Sequence, residues 1–87
     1  MQSNYEKLVV WQKAMDLAVK IYDVTKIFPK EEVYTLVAQM RRCSISIPSN
    51  IAEGAERNSK GEFKQFLGIA RGSAGELKTQ LILAGRL

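Results

Sequence analysis

The 87-residue chain contains no histidine and a single cysteine, Cys43. Without histidine there is no Ser-His-Asp or Cys-His mechanism and no His-containing metal site. One cysteine makes neither an intrachain disulfide nor a thiolate zinc site. No apolar run approaches the roughly 18 to 20 residues of a membrane span. The N-terminal residues 1–7 lack the apolar core of a secretory signal. The expected address is therefore cytoplasmic. No G-x-x-x-x-G-K-[S/T] loop or strand-to-helix G-x-G-x-x-G is found. Glu53 and Glu76 form the one carboxylate pair worth weighing, but the Glu-x-x-His pattern of di-iron bundles is missing. These absences argue against an enzyme, a metal, a cofactor or a small-molecule substrate.

Apolar residues make up 46% of the sequence, and their period is helical. Val10, Ala14, Leu17, Ile21, Val24 and Phe28 alternate steps of four and three. So do Leu36, Met40, Cys43, Ile47, Asn50 and Gly54, with Val33 and Ile51 widening the stripe. Phe63, Leu67, Ala70, Ala74, Leu77, Leu81 and Ala84 continue the pattern. A 3.5-residue period in three segments predicts an all-α, up-and-down antiparallel bundle, a single domain over 1–87. The helices are expected at roughly 8–28, 31–57 and 60–86. A second strip, Trp11, Met15, Ala18 and Tyr22, gives the first helix a wide apolar arc and more than one neighbour. Trp11 and Tyr22 read as core or interface anchors, and Cys43 as a buried structural thiol.

Local signals set the boundaries. Phe28-Pro29 ends the first helix, because the residue before proline disfavours the helical conformation. Glu31 and Glu32 suit the N-terminus of the second. Ser59-Lys-Gly-Glu62 reads as a capping box opening the third, with Asn58 and Ser59 as the hinge. Gly68, Gly72 and Gly75 weaken that helix, and their clustering beside Ser73 and Ala74 suggests close helix–helix approach. Pro48 either kinks the second helix or splits it, with Ser46 capping the later half. The heptad register runs unbroken from Leu36 to Gly54 and favours the kink.

Two polar patterns are candidate sites. Ser46, Asn50, Glu53 and Arg57, spaced by four, three and four, share one helix face. They are expected either to form a buried inter-helix network, with Ser73 and Glu76 opposite, or to contact a ligand or RNA. Charge gives the second pattern. The net charge of +4 lies wholly in residues 41–87, where eight basic residues face four acids. Lys64, Arg71 and Lys78 are seven residues apart, Lys60 lies one turn before them, and Arg41 and Arg42 add charge nearby. These six are candidates for a nucleic-acid-binding rail. The alternative is long side chains lying along the edge of the core at heptad e positions. Aromatics do not interleave with these charges, so base stacking is not indicated and weak sequence preference is expected.

Four strings in this sequence carry a resemblance. They are Leu8-Val-Val-Trp-Gln-Lys-Ala14, then Ile21-Tyr22 with Thr25 and Phe28-Pro29. Ser46-Ile-Pro-Ser-Asn-Ile-Ala-Glu-Gly54 with Arg57 follows, and last Phe66-Leu67, Ala70-Arg71-Gly72-Ser73 and Glu76-Leu77. Together they resemble the bacterial four-helix-bundle family of 23S rRNA intervening-sequence proteins, also called the S23 ribosomal protein family. The resemblance implies a homo-oligomer, typically a homopentamer. It also implies a fold similar to the accessory variability determinant of diversity-generating retroelements, a basic barrel that works with RNA. Family members run on to a fourth helix, whereas this chain holds three of the four. The expected function is non-catalytic association with RNA or DNA through a basic surface, without membrane attachment. The alternative is a protein-interaction scaffold or mobile-element accessory that binds no nucleic acid.

Overall fold

Each amphipathic segment becomes a helix because only a neighbouring helix can take up its apolar face. The computed structural model describes residues 4–87, so Met1, Gln2 and Ser3 of the polar N-terminus lie outside it. The helices are α1 (Val9–Thr25), α2 (Ala38–Ala55) and α3 (Lys60–Arg86), and the described residues hold no strand. A 3-10 turn, Tyr5–Lys7, precedes α1. The molecule measures 46 × 19 × 18 Å.

The helices run antiparallel. Arg41 near the start of α2 bonds Thr25 at the end of α1, and Gly54 near the end of α2 meets Phe63 and Phe66 early in α3. α2 lies between the other two, packing against both and most extensively against α3. One apolar cluster joins them: Ala14 and Ile21 from α1, Met40, Ile47 and Ile51 from α2, Ala70 and Leu77 from α3.

Helix α1 stops at Thr25, three residues short of the expected end. The Thr25 hydroxyl donates to the Ile21 carbonyl at 2.6 Å, and Phe28 N–H turns back to Thr25 O at 3.2 Å. Pro29 then opens the next segment as a 3-10 turn, Lys30–Glu32, closed by Glu32 N–H on Pro29 O at 2.9 Å. A single π turn, Val33–Val37, follows before regular α-helix begins at Ala38 rather than at residue 31. Pro48 does not split α2, which runs through it unbroken. The proline is buried and lines a groove with Trp11, Met15 and Ala18. Packing against α1 thus offsets the backbone hydrogen bond it removes. At α3 the Glu62 N–H donates to Ser59 Oγ at 3.1 Å, giving the expected cap.

Three expectations about packing need correction. Val10, Leu17 and Val24 stay 50%, 36% and 47% exposed, so of the α1 heptad stripe only Ala14 and Ile21 are buried. Among the described residues α1 packs mainly on α2, with Trp11 against the shared core and Ala18 beside Pro48. The side carrying Val10, Leu17 and Val24 has no helical neighbour among the described residues. Cys43 is partly exposed, with Gln80 Nε2 donating to its Sγ at 3.5 Å. The close approach lies at Gly54, where an added Cβ would stand 2.7 Å from Phe66 Cβ and 3.0 Å from Phe63 Cδ1. Gly68, Gly72 and Gly75 face open space.

Gly54→Ala should therefore cost about 1–3 kcal/mol through overpacking at the α2–α3 crossing. Gly72→Ala should add up to about 1 kcal/mol of helix propensity. Urea melts of the two variants check both signs.

Candidate nucleic-acid interface

The polar stripe of α2 divides by depth. Ser46 Oγ sits 2.8 Å from Ser73 Oγ, directly across the α2–α3 seam. Asn50 Nδ2 donates to Ser46 Oγ at 2.9 Å and to Ser46 O at 2.8 Å. The Ser46 proton is then free to reach Ser73, and the three side chains form one chain of bonds. Ser73 is buried, Ser46 and Asn50 half-buried. Glu53 and Arg57 lie outside this network. They pair with each other at 3.5 Å, with side chains 53% and 44% exposed. Arg57 reaches on to Glu62 at 3.6 Å and covers the Phe66 ring at 5.0 Å, rather than meeting Ser73 or Glu76. Glu76 is exposed, its carboxylate 4.0 Å from Cys43 Sγ. Sharing a helix face did not mean sharing a depth: α3 covers α2 at Ser46, but Glu53 and Arg57 lie at the rim.

The six basic candidates also divide. Arg41 is half-buried in the α1–α2 seam, away from α3. Its Nε donates to Thr25 Oγ1 at 2.9 Å, and its guanidinium stacks 4.6 Å from the Tyr22 ring centre. Its charge is thus tied to α1. Arg42 is exposed on α2, apart from the α3 row. Lys60, Lys64, Arg71 and Lys78 are all exposed on α3. By helical spacing they occupy the side turned from Phe66, Ser73 and Gln80, the residues facing α2. At 1.5 Å per residue the row spans about 27 Å. The two acids of α3 do not neutralise it. Glu62 is engaged by Arg57, and Glu76 lies beside Cys43 on the α2 side. Among the described residues, none of the four row cations is held in an ion pair. The arrangement suits phosphates: exposed cations at intervals along one helix.

The row ends at a feature that the heptad reading missed. Lys60 also borders an open cleft of about 340 Å³, which Tyr5, Leu8, Gly54, Asn58 and Phe63 help to line. Tyr5 and Lys60 are far apart in sequence, and only the antiparallel return of α2 brings them together. No spacing pattern signals such a contact.

The chain matches the family model described as 23S rRNA-intervening sequence protein over residues 6–87. It belongs to that family. No curated protein matches the chain significantly. The family is named for an intervening sequence of 23S rRNA. Its all-α, three-helix structure accords with a helical bundle. No helix among the described residues is long and apolar enough to cross a membrane.

In this family member the depth of each residue puts the larger stability cost at Ser46 and not at Glu53. Ser46→Ala removes an acceptor and the bond to Ser73 and should cost about 1–2 kcal/mol. Glu53→Ala breaks an exposed pair and should change stability by less than about 1 kcal/mol. Thermal melts that reverse this order would contradict the division by depth.

Proposed function

We propose that this protein is a non-catalytic, cytoplasmic helical-bundle protein that associates with RNA through the exposed side of α3. The carrying observation is the row Lys60, Lys64, Arg71 and Lys78 along one helix side, none of them in an ion pair among the described residues. The family's name supports RNA as the polyanion. Phosphate contacts position a strand without reading its sequence, so affinity should vary little between unrelated RNAs. DNA of like length would test whether the sugar matters.

The same reading includes self-association. Val10, Leu17 and Val24 on α1, with Leu81 and Ile82 on α3, are 36–51% exposed. Exposed apolar surface of this kind marks interfaces. The family resemblance suggests a pentamer. A second reading, a protein-interaction scaffold or mobile-element accessory without nucleic acid, draws on this apolar surface alone.

For the parent protein, log affinity for RNA should fall linearly with log salt. The triple variant Lys64→Gln, Arg71→Gln, Lys78→Gln should lower the slope by roughly two on a single strand. A triple variant that binds as the parent does at low and high salt would remove the RNA reading and leave the scaffold. Sedimentation at micromolar concentration should show an oligomer; a cooperatively folded monomer would refute self-association.

A further inference from the structure

The cleft at the Lys60 end of α3 combines features that the row lacks. Leu8, Gly54 and Phe63 give it an apolar lining, and Tyr5 adds a second aromatic residue. Tyr5 is half-buried and held edge-on to Trp11, with ring centres 5.4 Å apart. Phe63 is held by the tight crossing at Gly54. Both rings are thus positioned by packing. Asn58 stands at the rim with a side-chain amide that offers both donor and acceptor. Of the two cations at the cleft, Arg57 is taken up by Glu53, Glu62 and the Phe66 ring. Lys60 is in no ion pair among the described residues, and it is also the first member of the basic row. A volume of about 340 Å³ admits a flat heterocycle.

We infer that this cleft receives one unstacked base of a single-stranded RNA whose phosphates lie along Lys60, Lys64, Arg71 and Lys78. The inference rests on the RNA reading above and adds a ligand class to it. Proteins that recognise single-stranded RNA place splayed bases on aromatic rings and satisfy their edges with polar side chains. A base seated there departs from the expectation, drawn from the lack of aromatics among the charges, that base stacking is not indicated. The aromatics sit at the end of the row instead of within it. A duplex keeps its bases paired and has none to offer, so the cleft confers a preference for single strands, whereas the row alone favours the more densely charged duplex.

The test uses a twelve-nucleotide single-stranded RNA bearing one 2-aminopurine, a duplex of the same length, and the variant Tyr5→Leu. Leucine keeps apolar bulk against Trp11 but removes the ring face, and a thermal melt checks that the variant folds. The parent should bind the single strand about tenfold more tightly than the duplex and quench the 2-aminopurine, as a stacked base requires. Tyr5→Leu should abolish the quench and the preference while leaving the salt slope unchanged. Should Tyr5→Leu unfold, the parent's quench and strand preference decide alone. A duplex bound as tightly as the single strand or more so, with the row's salt slope and no quench, overturns the cleft while sparing the row. No binding of either RNA at low salt overturns both.

Discussion

The fold depends on how closely α2 and α3 can approach at Gly54. With no side chain there, the α2 backbone comes against Phe66 Cβ and the Phe63 ring and carbonyl. That contact draws Ser46 and Ser73 within hydrogen-bonding distance further along the seam. The two contacts are different in kind. Gly54 sets the separation sterically, whereas the Ser46–Ser73–Asn50 chain sets the register, since sliding α3 by one turn would leave its hydroxyls unpaired in a half-dry seam. The direction of the basic row and the position of Phe63 in the end cleft both follow from this crossing.

α1 is attached differently. It contacts α2 through Trp11, Ala18 and the buried Thr25, and Arg41 ties the far end by a hydrogen bond and a stacked ring. No glycine crossing tightens this seam. The consequence is visible in Val10, Leu17 and Val24, which keep a third to a half of their surface in water. A domain this small buries limited apolar area from within. Self-association would supply the rest, which connects the open side of α1 to the oligomer proposed above.

Much of this was legible in the chain, for identifiable reasons. A 3.5-residue repeat of apolar residues admits no strand, so three helices and their antiparallel order followed directly, as did the Ser59 cap. The repeat does not say which neighbour a helix will face. Val10, Leu17 and Val24 share the period of Ala14 and Ile21 yet lie on the uncovered side. Nor does it give depth, so Glu53 and Asn50 looked alike although one lies at the rim and the other in the seam. Glycines are equally ambiguous: Gly54 sits at the crossing, and Gly72 in the open, with nothing local to tell them apart. The π turn at Val33–Val37 has no signal in the sequence that we can name. The Tyr5–Lys60 cleft is a product of chain return and lies beyond any local pattern.

The functional picture inherits this hierarchy. The long α3, packed along α2, presents its cations along one side, and the end cleft borders the same seam. Native-state hydrogen exchange tests that dependence most directly. The account predicts that amides from Met40 to Gly54 and from Phe66 to Leu77 exchange together as the slowest group, with amides from Val10 to Ile21 opening earlier and at lower free energy. Protection of α1 equal to or greater than that of the α2–α3 pair would contradict it.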